Sequence, residues 1–328
     1  MTLEKISDRL FEANRIAIFT HISPDCDGFG SMFALYEGLK KLGKKCSLFV
    51  DGKLNKFEEA IFDMTKVNKS ELDPKKFDTF IAVDTATLDR LGKYKDAFES
   101  FENTYKIDHH VNRENYGKYV YIDHLSSSCS EIIYELLTKL NVNIDKKIAT
   151  YLYAGIATDT NSFLNTNTEE NSYHVAAKMF SKGADTIKVN KQCFRTVSKE
   201  SIELMKLFYT KLKFVGDKFA YIILNEKDFK KTKTSHLDTS NFSNMLCEYE
   251  GVKIACCVTE RENCFSCSFR STIDYNVHEL ASLLGGGGHP QAAGARLYEK
   301  EKVVEKKLLH AVSKYLGTKN EKLRDFSK

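Results

Sequence analysis

Short apolar segments alternate with helix-forming segments through the first half of the chain, and this alternation restricts the fold more than any other feature. Strands that alternate with helices form a mostly parallel sheet covered by helices on both faces. We therefore predict an α/β domain whose ligand-binding groups gather where strands end and loops begin. The predicted strands are 16–19, 46–50, 79–83 and 105–107, and the predicted helices are 32–41, 129–140 and 146–157.

The second half of the chain has a different pattern, which predicts a smaller α+β domain. Two apolar runs flank a turn at Gly216 and Asp217, as in a β-hairpin. A helix should begin at Asn276, because Glu279 three residues further on completes a capping box. The other predicted elements are strands at 213–215, 219–224, 254–259 and 264–270, a helix near 240–249, and a final strand and charged helix. We predict a first domain at 1–187, a helical linker at 188–210 and a second domain at 211–328.

The length and charge of the chain indicate which class of ligand it binds. The chain has 328 residues, enough for two domains, and a net charge of only +4. Lysines alternate with acidic residues, as at Glu299, Lys300, Glu301 and Lys302. This mild, mixed charge favours a small ligand over a long nucleic-acid duplex. Since no apolar run could span a bilayer and the N-terminus lacks the layout of a signal peptide, we expect a cytoplasmic protein that does not bind membranes.

The nine cysteines are an odd number, which favours thiols over a disulfide framework. Four of them, Cys256, Cys257, Cys264 and Cys267, raise the alternative of a zinc site. In the predicted hairpin, however, Cys264 and Cys267 lie three positions apart on one strand and would point to opposite faces. We therefore favour buried or half-buried thiols over zinc.

Four segments place acidic or histidine side chains directly after a strand or helix. They contain His21, Asp25 and Asp27; Asp84; Asp108, His109 and His110; and Asp159. Three of these segments follow strands of the predicted parallel sheet, so their side chains should meet at one edge. Clustered carboxylates repel one another, and a bound cation is the simplest compensation.

The donor set indicates which cation this cluster would bind. Carboxylates and imidazoles without a thiolate suit Mn²⁺. Six candidate ligands exceed the needs of one ion but suit two ions about 3.5–4 Å apart that share a carboxylate. Such a centre activates water and clamps phosphoryl oxygens, so the pattern predicts phosphoester hydrolysis.

With these motifs in hand, the chain resembles the DHH family of phosphoesterases, named for the triad at Asp108, His109 and His110. Three further first-half motifs match in the expected order, at His21 to Asp27, at Asp84 to Gly92, and at Thr158 to Thr160. The second half resembles the DHH-associated domain through residues 285–294, which begin with four glycines and contain His289. The resemblance covers nearly the whole chain.

The resemblance implies roles for individual residues. One Mn²⁺ would be held by His21, Asp25 and Asp84, and the other by Asp27, Asp84, His109 and Asp159. His110 would lie beside the scissile phosphate and act in catalysis together with Asp84 and Asp27. The second domain would bind the substrate through Arg270, Ser271, Gly287, Gly288 and His289. The residues support this, because glycine-rich loops expose N–H groups to anions, arginine pairs with phosphate, and small residues that could start a helix follow His289.

The chain departs from the family pattern at two places. Cys26 stands between the two loop aspartates, where glycine or alanine is more usual, and its thiol could either pack or make the site sensitive to oxidation. Residues 161–165, after Asp159, read Asn-Ser-Phe-Leu-Asn where many nano-RNase relatives have glycine and arginine. These departures concern substrate preference more than the metal ligands.

The two-domain length is similar to the NrnA type of the family, which degrades very short RNAs and dephosphorylates adenosine 3′,5′-bisphosphate (pAp). We therefore predict a Mn²⁺-dependent phosphodiesterase and phosphatase acting on short oligonucleotides such as pApA and nano-RNA, and on pAp. Alternatives are a cyclic di-AMP phosphodiesterase, a RecJ-like single-strand exonuclease, and a nucleotide-binding regulator without catalysis.

Two other functions rank lower, and two properties are left open by the sequence. A family-type inorganic pyrophosphatase ranks lower, because its second domain lacks the glycine-histidine loop. A nucleic-acid-binding module would use Lys227, Lys230, Lys231 and Lys233, which we interpret instead as a solvated loop. The sequence does not determine cleavage polarity or oligomeric state, and a homodimer is one open arrangement.

Overall fold

The computed structural model describes residues 1–52, 58–110 and 114–318, and its contacts divide the chain into two compact units, Met1–Thr196 and Val197–Lys328. The segment 188–210 that the sequence predicts as a linker contributes to both units. Its second helix packs into the core of the second unit through the buried side chains of Leu204 and Phe208. The predicted end of the second domain, at residue 328, lies outside the described residues.

The first unit contains a five-stranded, fully parallel sheet in the order β2-β1-β3-β4-β5, which confirms the predicted fold class. The four predicted strands are present to within one residue at each end, and an edge strand, β5, adds to them. The strands are β1 (Arg15–Phe19), β2 (Lys45–Phe49), β3 (Thr79–Val83), β4 (Thr104–Asp108) and β5 (Tyr119–Ile122). The helices are α1 (Leu3–Glu12), α2 (Cys26–Lys41), α3 (Lys95–Glu99), α4 (Cys129–Lys139), α5 (Lys146–Asp159), α6 (Glu170–Ser181) and α7 (Thr186–Asn190).

Both faces of this sheet are covered, although unequally. Ile16 and Ile18 of β1 pack under the long helices α2, α4 and α5. Phe19, Phe49 and Phe80 face the other side, where the 3₁₀ segment Leu88–Tyr94 and the five-residue α3 cover them. The long helices therefore occupy one face, and the second face is closed by shorter elements rich in aromatic contacts.

Helix α2 begins at Cys26, six residues before the predicted start at Met32, so that prediction was wrong. Asp25 caps the helix by accepting hydrogen bonds from the N–H groups of Asp27 and Gly28, at 3.0 and 3.1 Å. The polar, glycine-containing start resembles a loop in sequence, but a capping aspartate satisfies the first N–H groups and stabilises the helix there. The motif aspartates thus lie at a helix N-terminus.

The second unit contains a six-stranded mixed sheet in the order β10-β11-β9-β8-β7-β6, which confirms the α+β prediction. Only the β7–β8 pair is parallel among the described strands of this sheet. Helices α8, α9 and α10 lie on one face, and α11 and α12 lie on the other. The strands are β6 (Lys213–Val215), β7 (Phe219–Leu224), β8 (Ile254–Arg261), β9 (Cys264–Ser271), β10 (Gly287–His289) and β11 (Ala292–Leu297). The helices are α8 (Lys199–Lys211), α9 (Glu226–Thr232), α10 (Phe242–Cys247), α11 (Val277–Ser282) and α12 (Glu301–Thr318).

Three local predictions in the second unit were wrong. Asn276 caps α11, but its backbone N–H donates to the Tyr315 hydroxyl at 2.9 Å, so Glu279 does not complete a capping box. The small residues after His289 form β11 rather than the start of a helix, because alternate alanines pack into the core. The lysines interpreted as a solvated loop lie instead on α9 and at its C-cap.

The four clustered cysteines lie on the hairpin of β8 and β9. Cys256 and Cys267 point into the core beneath α11 and α12, and Cys257 points into the core on the opposite face. Cys264 is half-buried.

None of the helices in the described ranges is long and apolar enough to cross a membrane.

Candidate metal centre

Three neighbouring strands bring the predicted ligands to one edge of the parallel sheet. Strands β1, β3 and β4 are adjacent and parallel, and their carboxyl ends lead to His21, Asp84 and the Asp108 triad respectively. Asp25 and Asp27 start α2 directly after β1, and Asp159 is the last residue of α5. The structure therefore brings all six predicted metal ligands together.

The donor atoms form two groups that share Asp84. Its Oδ2 lies 3.5 Å from His21 Nε2, which is 3.9 Å from Asp25 Oδ1. Its Oδ1 lies 3.5 Å from His109 Nε2 on the other side. Each oxygen of one carboxylate thus faces a different imidazole.

His109 Nε2 is the centre of the second group. It lies 3.9 Å from Asp27 Oδ2 and 3.2 Å from Asp159 Oδ2. Donors that each lie about 2.0–2.2 Å from one ion are separated by about 3–3.6 Å. The spacings in both groups are close to that range, so the residues present fit bound divalent cations.

Asp84 adopts a left-handed backbone conformation, with φ of 51°. Its N–H donates to the carbonyl of Ile107 at 3.1 Å, which ties the end of β3 to β4. Aspartate and asparagine tolerate this conformation better than most residues. The bend turns the carboxylate away from the strand direction, between the two imidazoles.

Asp27 is fully buried and is held by the N-terminus of α4. Its two oxygens accept hydrogen bonds from the N–H groups of Cys129 and Ser130, at 2.7 and 2.9 Å. A helix N-terminus stabilises a carboxylate through its free N–H groups and its dipole. The same side chain therefore anchors α4 and faces the other candidate ligands.

Backbone carbonyls orient both candidate imidazole ligands. His109 Nδ1 lies 3.3 Å from Ser126 O, and His21 Nδ1 lies 3.0 Å from Ile22 O. A proton on Nδ1 donates to such a carbonyl and leaves the lone pair of Nε2 for a metal. Arg90 Nη2 also lies 2.7 Å from His21 Nδ1, a contact that competes with the Ile22 hydrogen bond.

Burial and neighbouring charges shift the pKa values of the side chains in this cluster. Burial and the charge of Asp84 raise the pKa of Asp27 to about 7, and burial also raises the pKa of Asp159. Burial lowers the pKa of His21, but its hydrogen bonds to neighbouring carboxylates outweigh that effect and raise it to about 10. Burial also lowers the pKa of His109, but its hydrogen bond to Asp84 and the charges of Asp27, Asp159 and Asp84 together outweigh burial and raise it to about 10. Raised pKa values favour bound protons at this cluster, and metal binding would release them.

His110 lies at the rim of the cluster. Its side chain is about half exposed, and its Nδ1 lies 2.8 Å from Asp108 Oδ1 and 3.7 Å from Asp84 Oδ1. Asp108 is fully buried and also contacts the ammonium group of Lys106. Lys106 and Arg90 belong to no pattern that predicted a role for them, although a lysine inside the apolar strand β4 is itself an unusual signal.

Two family models match this chain. The DHH family N-terminal domain matches residues 15–156, and the DHHA1 domain matches residues 216–318. The chain carries a DHH domain followed by a DHHA1 domain. The DHH match contains every predicted metal ligand except Asp159, and the DHHA1 match contains every predicted substrate-binding residue.

Similarity to known proteins extends over nearly the whole chain. One relative, the bifunctional oligoribonuclease and PAP phosphatase NrnA of Bacillus subtilis, is 26% identical over 286 residues, covering 86% of this chain and 89% of its own. The uncharacterized protein MG371 of Mycoplasma genitalium is 27% identical over 327 residues, covering 97% of both chains. The crystal structure of an exopolyphosphatase-related protein from Bacteroides fragilis has a TM-score of 0.89 at 25% identity, covering 97% of this chain and 98% of that chain.

In the DHHA1 domain, the register of the sheet places Arg270 and His289 on the same face. Arg270 of β9 pairs with Ala292 of β11, which pairs in turn with His289 of β10. Directly paired residues on antiparallel strands share a face. Ser271 follows Arg270 on the strand, and its hydroxyl donates to Tyr275 O at 2.7 Å. The structure therefore brings Arg270 and His289 into one row, while Ser271 is hydrogen-bonded elsewhere.

The two DHHA1 glycines predicted to bind substrate, Gly287 and Gly288, form the short strand β10. Gly288 has φ of 149°, and a Cβ there would lie 2.6 Å from Ala292 O, so the strand pairing requires glycine. Its N–H donates to His278 Nδ1 at 3.1 Å instead of pointing to an open anion site. His278, on α11, was missed because a lone histidine in an amphipathic helix carries no distinguishing pattern.

Both departures from the family pattern lie beside the candidate metal centre of the DHH domain. Cys26 is buried, with its Sγ 3.7 Å from Cys193 Sγ on the π-helical turn Lys191–Arg195. Residues 161–163 are all left-handed, and the side-chain amide of Asn165 donates to Asp159 O at 3.1 Å. The segment that replaces the usual glycine and arginine thus supports the backbone of a predicted ligand.

Proposed function

We propose that this chain is a metal-dependent phosphoesterase that hydrolyses short oligonucleotides, such as pApA and nano-RNA, and also pAp, to mononucleotides. The observation that supports it most is the placement of Asp84 between two imidazole-carboxylate groups, with one oxygen toward each. This is the arrangement that two ions sharing a carboxylate require. The relative from Bacillus subtilis, named an oligoribonuclease and PAP phosphatase, supports the substrate class.

The donor chemistry supports two Mn²⁺ ions as the cofactor. One ion would be held by His21, Asp25 and Asp84. The other would be held by Asp27, Asp84, His109 and Asp159. Carboxylates with imidazoles suit Mn²⁺, whereas structural zinc sites prefer thiolates. When bound, such a pair of ions activates a water molecule and offsets the negative charge of the phosphate.

The remaining side chains would orient the substrate. His110 presents its Nε2 on the side of the ring away from Asp108, where it faces the substrate and, when this nitrogen carries a proton in addition to the one on Nδ1, can donate to a phosphoryl oxygen or to the leaving oxygen. In the DHHA1 domain, Arg270 and His289 are separated by one intervening strand, or about 10 Å between backbones. That spacing supports binding of the terminal phosphate and the neighbouring nucleotide of a short substrate, rather than a long duplex.

The test is a comparison of kcat/KM across nucleotides. Purified chain would be incubated with Mn²⁺ or Mg²⁺ and with pAp, pApA, cyclic di-AMP, and RNAs of two, five and twenty nucleotides. We expect the two- and five-nucleotide RNAs, pApA and pAp to be preferred. Preference for cyclic di-AMP or for the twenty-nucleotide RNA would contradict the proposed substrate class. Absence of all hydrolysis would contradict the enzymatic function itself.

Mn²⁺ should stabilise the chain strongly, because a cation relieves the repulsion among Asp27, Asp84 and Asp159. At a concentration of about 100 times its Kd, a ligand adds about 2.7 kcal/mol to the free energy of unfolding. For a domain of this size we expect the Tm to rise by about 5–10 °C, measured by scanning calorimetry with Mn²⁺ and with EDTA. Equal melting temperatures in the two conditions, or an equal rise in the Asp84→Asn variant, would argue against the metal centre.

Arg270→Ala should raise KM for dinucleotides by about tenfold while the Mn²⁺-dependent rise in Tm stays unchanged. The reason is that a guanidinium-phosphate contact contributes to substrate binding and not to metal binding. The matched control is Arg261→Ala, at the far end of the sheet about 20 Å along the strands. If both variants keep the KM of the unmodified chain, Arg270 does not bind substrate.

A further inference from the structure

Lys106 is a charged residue at a position where a strand normally holds an apolar one. It lies in β4, with neighbouring strands on both sides, and its side chain has no exposed surface. Within the described ranges of the chain, it is the one lysine that is fully buried. Burying an ammonium group carries a large desolvation cost, so its contacts should show what it does.

The Lys106 ammonium group makes three polar contacts, as many as it has protons. Its Nζ donates to Ala86 O at 2.9 Å and to Glu114 O at 3.2 Å. The third contact is with Asp108 Oδ2 at 3.4 Å, and the Tyr116 ring lies 4.5 Å away on another side. These four partners fix the position of the charge.

Asp108 divides its two oxygens between Lys106 and the histidines. While Oδ2 faces Lys106, Oδ1 accepts hydrogen bonds from the backbone N–H of His109 at 2.9 Å and from His110 Nδ1 at 2.8 Å. With the Lys106 ammonium group beside Oδ2 and two N–H groups directed at Oδ1, Asp108 is placed to accept the Nδ1 proton of His110.

We propose that Lys106 is a positioning residue for His110, acting through Asp108. The ammonium group holds the carboxylate in one orientation, and the carboxylate holds the imidazole with its proton on Nδ1. Nε2 is then directed to the substrate, with the tautomer set by the second ring nitrogen. This inference rests on the proposed hydrolysis only for its kinetic consequence, because the orientation of the ring can be measured without a substrate.

A purely structural role does not account for the charge. Replacing a buried ion pair by apolar residues of similar volume is often neutral or stabilising, and the residues paired with Lys106 on the adjacent strands, Ala82 and Val120, are apolar. A buried lysine that costs stability is expected where its charge orients another group. The group that it reaches is the only carboxylate bonded to His110 Nδ1 in the part of the chain that the structure describes.

The kinetic test is a double-mutant cycle with Lys106→Met and His110→Ala in the full chain. We expect Lys106→Met alone to lower kcat by about 10- to 100-fold, with KM changed less than twofold. In the His110→Ala background, the same substitution should change kcat less than twofold, because its effect passes through His110. Equal losses in both backgrounds would overturn the proposal. Lys118→Met, at an exposed position directly before β5, is the matched control.

A spectroscopic test is independent of activity. In the metal-free chain with ¹⁵N-labelled histidine, His110, assigned through His110→Gln, should show a single Nδ1–H tautomer. Lys106→Met should convert this signal to a mixture of tautomers, while Lys118→Met should leave it unchanged. If Lys106→Met does not fold, Lys106→Gln keeps hydrogen-bond donors without the charge and replaces it in both tests. An unchanged His110 signal would overturn the inference, whereas a chain inactive on every nucleotide would overturn only the proposed function.

Discussion

Replacing Asp84 by asparagine should lower kcat/KM by at least about a thousandfold with the fold retained. Asparagine accepts the left-handed backbone at this position and preserves the shape of the side chain, but it removes the charge shared by both donor groups. The loss of a bridging carboxylate should weaken the binding of both ions at once. The chain would then lose the activation of water and the compensation of the phosphate charge that the ions supply. Steady-state kinetics with Mn²⁺ would measure the loss in kcat/KM, and circular dichroism would show whether the fold is retained.

The control for this substitution is Asp89→Asn, on an exposed aspartate of the following segment that contacts Lys95. It removes one carboxylate from the same region without touching the candidate ligands, so its turnover should match that of the unmodified chain. His109→Ala should reproduce the loss seen with Asp84→Asn. Near-normal turnover of either ligand variant in Mn²⁺ would show that the metal centre is assigned to the wrong residues.

Gly155→Ala should be the most harmful of the small substitutions at the centre. Gly155 lies in α5, and a methyl group there would overlap Asp27 Oδ1 and Ser130 Oγ. Because Asp27 is held between the N-terminus of α4 and the second donor group, moving it disturbs both. We expect a loss of about 1–3 kcal/mol in the free energy of unfolding and of about a hundredfold in kcat.

Gly317→Ala is the matched control, since Gly317 lies in α12 and a methyl group there meets no atom within 4 Å. Alanine favours a helix over glycine, so this variant should be unchanged or slightly more stable. Denaturant titration and kinetics of the two variants give the comparison. Normal activity of Gly155→Ala would mean that the close packing around Asp27 is not required for the chemistry.

Much of the first unit could be predicted because its signals are local and repeated. Each apolar segment is short, each is followed by a polar turn, and parallel strands bring such turns to one edge. That rule alone placed His21, Asp84 and His109 together, although they are far apart in sequence. The alternation did not reveal β5, an edge strand of partly exposed residues, because such residues resemble a loop.

Other features depend on contacts that no local pattern reveals. The role of Lys106 follows from atoms of Ala86, Asp108 and Glu114, which only the folded sheet brings together. The capping box at Asn276 failed because Tyr315, almost forty positions later, takes its N–H. Gly288 was predicted to bind substrate, but the contact of its N–H with His278 depends on how α11 lies against β10.

The ligand-bearing segments have a consequence for how the first unit resists unfolding. The donors are distributed from position 21 to position 159, at the N-terminus of α2, at the C-terminus of α5 and directly after three strands. An ion held among them would join remote parts of the polypeptide as a reversible cross-link, and cross-links that close long loops restrict the unfolded chain most. Limited proteolysis should therefore release fragments of this unit slowly when the cation is bound and rapidly once a chelator removes it.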